Sequence, residues 1–283
     1  MLALDVVGDE IWTVQLSQTS RRTFSTLTLI DVFQHPITVT GVALASSGKQ
    51  IALAQDWGLN LYELPSWQRD VRSRVSTFSR IETMTYVNGR GQLVLGLANG
   101  YLWVLKSTTG AIVWLIPAHT DSVTALAAHP RRAHILSASS DGTVRLWYMD
   151  SAKEQAVFQP RSGSAHSVVT VMAFSPHDAH AIFSDDQGML VLWDLAQQRV
   201  IRQRSLVSNV LTALLWTEDG IIGGSGRGNL ILLTEKLHVT VVPFADMAIT
   251  ALLTEPPGYV LAGSEDGQVC VWATLNPSVA SSR

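Results

Sequence analysis

The stretch "AHTDSVTALAAHPRRAHILSASSDGTVRLWYMD" holds His119, Ser137 and Asp141. These are the residue types of a nucleophilic triad, in which an aspartate orients an imidazole that takes the proton of an attacking hydroxyl. That chemistry also needs donors for the oxyanion, and in one large class a Gly-x-Ser-x-Gly elbow. Neither pattern is visible in the chain. A second chemistry would be metal binding, since His119, His129, His134 and His166 fall in one region and imidazoles hold zinc. His129 and His134 flank the turn "HPRRAH", on the opposite face from the loop that carries His119, so no metal site is expected. The Gly-x-Gly of "GSGRGN" sits in a hairpin turn rather than between a strand and a helix, so it is no dinucleotide fingerprint, and there is no phosphate loop. Cys270 stands in the alternating run "QVCVWATL" and reads as a small buried apolar residue. No catalytic residue, cofactor or metal is expected.

The elements that carry these residues are strands. Helical periodicity is absent, and short alternating runs recur between Gly, Asp, Asn, Pro and Ser. They repeat. "SASSDGTVRLWYMD" has weaker copies in "LGLANGYLWVLKSTTG", "IFSDDQGMLVLWDLA", "GGSGRGNLILLTE" and "LAGSEDGQVCVWATL", and looser ones in "ALAQDWGLNLYEL" and "LDVVGDEIWTVQL". Aligned on Trp147, they put Val14, Tyr62, Leu105, Trp193, Leu233 and Trp272 at the same place, at steps of 39 to 48 residues. Each copy reads as two alternating strands around a tight Asp-Gly turn, preceded by a strand such as "VTALAAHPRR" or "ITALLTEPPG". Such a small sheet cannot bury both faces alone, so neighbouring copies must stack.

In these features the chain resembles the WD40-repeat family over essentially its whole length, strongly in the middle and weakly at the ends. The resemblance implies an all-β WD40-type β-propeller covering residues 1–275, with 276–283 as a short flexible tail. It also implies that His119, Ser137, Asp141 and Trp147 form a buried hydrogen-bonded tetrad, a structural staple rather than a hydrolase site. Other copies depart from this pattern. Gln187 stands where the aspartate belongs, the last copy has no matching histidine, and two third strands lack the tryptophan.

The ends raise a question of closure. "LALDVV", "IWTVQL" and "RTFSTLTLID" read as second, third and fourth strands of a first blade without its inner strand. The last copy stops after three strands. Seven blades with incomplete first and last members follow, 26 strands in all. Three explanations stand: the chain is a fragment; residues 22–31 clasp the last blade, giving six closed blades and a displaced hairpin at 1–17; or a partner adds the missing strand.

Composition narrows the function. The 283 residues carry a net charge of −3, which gives no reason to expect nucleic acid as a partner. One cysteine excludes a disulfide framework. "MLALDVVGDEIW" is no signal peptide, and no apolar run is long enough to span a membrane, so an intracellular, cytoplasmic place is expected. The arginines of "WQRDVRSRVSTFSR" (Arg69, Arg72, Arg74 and Arg80) read mostly as a solvated outer strand. The expected function is a non-catalytic scaffold that binds other proteins or peptides within a multiprotein complex. The alternative is a structural subunit whose open seam a partner or further sequence completes. The contact candidates are Trp57, in the glycine place of a hairpin tip, with the tips Gln187, Arg227 and Glu265 and the neighbouring Tyr101 and Asn229.

Overall fold

The computed structural model describes residues 3–273, apart from 8–9, 16–17, 24–28, 35–38, 46–48, 64–67, 70–73, 160–166, 178, 207, 254–258 and 267. Arg72, His166 and the tail 276–283 lie outside the described residues. The described chain is all strand and turn, in seven antiparallel sheets that follow one another in sequence.

The first sheet is Ala3–Val7, Glu10–Val14, Gln18–Thr23 and Leu29–Gln34. The second is Gly41–Leu44, Gln50–Gln55 and Gly58–Glu63, with Gln68–Arg69 and Val75–Ser76 both pairing along the far side of its third strand. The third is Ile81–Val87, Gln92–Leu97, Tyr101–Lys106 and Ile112–Pro117. The fourth is Val123–Ala128, His134–Ser139, Val144–Tyr148 and Lys153–Phe158. The fifth is Val169–Phe174, His180–Asp185, Met189–Asp194 and Arg199–Ser205. The sixth is Leu211–Thr217, Gly220–Ser225, Asn229–Leu233 and Val239–Pro243. The last is Ile249–Leu253, Tyr259–Ser264 and Val269–Ala273.

Period-two alternation explains how the sheets stack, because successive side chains point to opposite faces. Leu93, Leu95, Trp103 and Leu105 join one core with Leu59 and Leu61 of the second sheet. Their neighbours Val94, Leu102 and Val104 join another with Ile135 and Trp147 of the fourth. Leu136 and Leu146, one residue along, pack with Phe183 and Trp193 of the fifth. The middle strands are thus buried on both faces. The fourth strands are far more exposed, and Arg199–Ser205 is exposed along its whole length.

The chain forms two compact units. One, residues 37–208, holds the second to fifth sheets, which touch in order through their first strands. The other joins residues 1–36 to 209–283, where Ala3–Val7 packs on Ile249–Leu253 and Tyr259–Ser264 of the last sheet.

That contact corrects the reading of the N-terminus. Ala3–Val7 meets Ile249–Leu253 as first strands meet elsewhere, so it is a first strand and Glu10–Val14 a second. The first sheet therefore has four strands, and Val14 is not the counterpart of Trp147. "RTFSTLTLID" is not one strand, because it holds the end of Gln18–Thr23 and the start of Leu29–Gln34. Both of these pair within the first sheet, as do Ala3–Val7 and Glu10–Val14, so among the described residues neither the clasp expected of 22–31 nor the displaced hairpin expected of 1–17 is seen. The cause of the misreading is the strand "QTSRRT", which has no apolar residue and so gives no alternation. The last sheet has three strands among the described residues.

Candidate functional site

The Asp141-Gly142 turn joins His134–Ser139 to Val144–Tyr148, with Gly142 at φ 81°. Strand pairing sets Ser137 beside this hairpin, and the linker before Val123–Ala128 brings His119 over it. Four side chains then connect in series. The Trp147 Nε1–H donates to Ser137 Oγ at 2.9 Å. Ser137 Oγ lies 2.7 Å from His119 Nε2, and His119 Nδ1 lies 3.1 Å from Asp141 Oδ2. A carboxylate only accepts, so Nδ1 carries the proton, and the bare Nε2 accepts from the serine hydroxyl. Asp141 Oδ1 accepts from the Thr143 hydroxyl at 2.7 Å and from the Thr143 N–H at 2.9 Å. Oδ2 also accepts the Thr120 N–H at 3.1 Å. Thr143 extends the network beyond the four residues expected.

Burial lowers the His119 pKa below the usual 6.5, partly offset by the Asp141 charge and hydrogen bond. For Asp141, burial alone would raise the carboxyl, but the Thr143 hydroxyl, the Thr143 and Thr120 N–H groups and His119 together hold it below the usual 3.8. The resting pair is a neutral imidazole beside a carboxylate. Ser137 Oγ, fully buried and spent between Trp147 and His119, has no path to a substrate.

The hairpin tips lie beside these linkers. Trp57 shares the two-residue tip Asp56-Trp57 and is 58% exposed. The positive φ there belongs to Asp56, at 37°, so Trp57 does not adopt the backbone of the glycine place. Trp57 O accepts the Thr77 N–H at 2.8 Å, and Asp56 O accepts the Ile81 N–H at 2.7 Å. This ties the tip to the linker carrying Phe78, which is 53% exposed. The Phe78 ring meets Tyr101 edge-on at 5.7 Å and the buried Trp103 at 5.0 Å. Sequence reasoning missed Phe78. Its signal is a large apolar residue between two strands, in the otherwise polar "STFSR".

Of the six contact candidates, Tyr101 thus touches Phe78, and Trp57 stands on the tip bonded to the linker that carries it. Gln187 is exposed on the fifth sheet's hairpin, in the same unit. Arg227 and Glu265 are exposed, and Asn229 donates to Asn209 Oδ1 at 2.8 Å, all in the other unit. Among the described residues no group of three or more His, Cys, Asp and Glu is placed to hold a metal ion. No helix among them is long and apolar enough to cross a membrane.

Residues 110–148, which hold His119, Ser137, Asp141 and Trp147, match the family model described as "WD domain, G-beta repeat". Among curated relatives, the chain is 26% identical to striatin-4 of Homo sapiens over 57% of its own length and 23% of that protein's. It is 22% identical to autophagy-related protein 16 of Arabidopsis thaliana over 83% of its own length and 47% of that protein's. The solved structure of U3-55K superposes with a TM-score of 0.81 at 17% identity, covering 96% of this chain and 95% of that one. Residues 110–148 are similar to a WD40 repeat, and the chain as a whole is similar to WD-repeat proteins. Its all-β fold is of the WD40 β-propeller type. The chain spans under a quarter of striatin-4 and under half of autophagy-related protein 16.

The neighbouring sheets replace the polar network by apolar packing. Ala181 pairs with Trp193 as Ile135 pairs with Trp147, which puts Phe183 at the serine position. The Trp193 N–H is buried with no hydrogen-bond partner among the described residues, and its ring leans on Phe158 at 5.6 Å. Leu93 pairs with Leu105 in the third sheet, so Leu95 replaces the serine. Thr77 then falls at the place of His119. Its buried hydroxyl bonds Ser79 O at 2.6 Å.

Proposed function

We propose that this chain is a non-catalytic platform that holds a protein or short peptide on its hairpin face, around Trp57, Phe78 and Tyr101. The carrying observation is the pair of exposed aromatic rings, Trp57 and Phe78, on loops bonded to one another through the backbone. Monomers seldom leave clustered aromatic surface in water, and Trp and Tyr are frequent interface anchors. A rigid scaffold presenting fixed loops suits that role. The buried, consumed state of Ser137 supports a structural rather than hydrolytic use of His119 and Asp141. The net charge of −3 favours protein over nucleic acid as the partner, in an intracellular, multiprotein setting. Gln187, Arg227, Asn229 and Glu265 are further contact points of the same reading.

The test is retention of proteins from a cell extract by the immobilised full chain and by the W57A/F78A double variant. Both must melt at the same temperature. The wild type retains a set of proteins that the variant loses. Equal retention overturns the reading.

A second reading, a structural subunit joined through an open sheet, has one observation in its favour. Val269–Ala273 has no outer neighbour among the described residues.

A further inference from the structure

The aromatic surface lies in a row of mutually bonded loops. Beyond the bonds that tie the Asp56-Trp57 tip to the 77–80 linker, the Ala98 N–H reaches Arg80 O at 2.9 Å. The His119 N–H reaches Gly100 O at 2.9 Å, and the Ser140 N–H reaches Ser122 O at 2.9 Å. The row therefore uses several of its backbone donors internally, which favours reading of a docked segment by side chains over strand addition.

The side chains on offer are aromatic rings and carboxylates. Asp56 is exposed beside Trp57. Asp121 is exposed in the linker whose carbonyls press against Gly100, next to Tyr101. One Asp121 oxygen accepts the Ser122 N–H at 2.7 Å. No cation lies within ion-pairing reach of Asp56 or Asp121 among the described residues. Arg80, in the 77–80 linker, is bound by Glu82 at 2.6 Å. Arg74 is exposed two residues before Ser76, the strand partner of Gly58, and Asp56 is not among its ion-pair partners.

We propose that this row takes a basic, extended segment of a partner protein, with an arginine or lysine laid over Trp57 and Phe78 and facing Asp56, and a second cation facing Asp121. Exposed ring faces attract cations, and the unpaired carboxylates add charge complementarity at both ends of the aromatic stretch. The proposal rests on the platform reading above and adds the chemistry of the partner.

The test uses the full chain and three fluorescein-labelled Gly/Ser nonapeptides, carrying three arginines, three glutamines or three glutamates at the same positions. Fluorescence anisotropy reads binding. The arginine peptide is expected to bind saturably, about tenfold or more tighter than the glutamine peptide, and to weaken with added salt. W57A is expected to weaken it about fivefold or more. D56N/D121N, which keeps the shape of both loops, is expected to weaken it similarly and to flatten the salt dependence. Binding of the arginine peptide no tighter than glutamine, or unchanged in both variants, overturns the proposal. If no peptide binds while protein retention still depends on Trp57 and Phe78, the basic-segment assignment falls and the platform stands. If that dependence is also lost, both fall.

Discussion

At the residue scale the molecule turns on Ser137. Its hydroxyl links Trp147 to His119, and both of those groups are buried. S137A removes one oxygen and leaves an indole N–H and an imidazole nitrogen without partners, each at about 1–3 kcal/mol. We expect a loss of about 2–4 kcal/mol, read as a fall in the urea midpoint of the full chain. The pH dependence follows from the same network. Since His119 titrates lower when folded than the usual 6.5, the unfolded chain binds its proton first as pH falls. Its contribution is complete above about pH 6.5 and is lost as pH drops below that value. Asp141, held below 3.8, adds a further loss at lower pH in the same direction. The urea midpoint should fall on acidification from pH 7 to 5.5, and H119Q should flatten that fall. An equal slope in H119Q removes His119 as its source. The sequence made the tetrad legible because His, Ser, Asp and Trp are chemically distinctive types at recurring places. It hid Phe78, since a search keyed to hairpin turns passes over the linker that follows them.

At the scale of elements, the glycines of the tight turns are not equivalent. Gly100 has φ 84°, and a Cβ there would lie 2.3 Å from His119 O, a backbone atom that cannot swing aside. Gly142 has φ 81° but opens onto empty space. Both replacements by alanine carry the cost of a left-handed backbone, about 1–2 kcal/mol. G100A must also push the linker that holds His119. We expect G142A to lower the melting temperature modestly and G100A to lower it at least twice as far. Equal effects would show that the linker yields freely. The hairpins were legible because an Asx-Gly or related turn followed by alternating apolar residues is a strong local signal. "QTSRRT" was not, since its six polar residues give no alternation, and only its pairing with Glu10–Val14 and Leu29–Gln34 places it.

At the scale of the whole molecule, the repeat step carried the fold class, and the seven sheets follow from it. The arrangement at the ends was less legible, because first, second and third strands are all short apolar runs when seen singly. Only the contact of Ala3–Val7 with Ile249–Leu253 distinguishes them. The second reading of function is tested here. Hydrogen exchange on the free chain should find the Val269–Ala273 amides faster than those of Met189–Asp194, a third strand with a neighbour on each side. A bound partner that completes the sheet should slow them. Equal protection in the free chain removes that reading.

The loops that bear Trp57, Phe78, Tyr101 and Asp121 are joined at several points by main-chain bonds, so part of what holds their conformation is untouched by a change of exposed side chain. That separation makes the surface evolvable. Substitutions at these exposed positions can trade one ligand for another while the scaffold beneath stays constant. Relatives with the same architecture can therefore diverge in what they hold without diverging in fold. For the same reason, a combinatorial library at positions 56, 57 and 78 would explore new specificities on a largely constant frame.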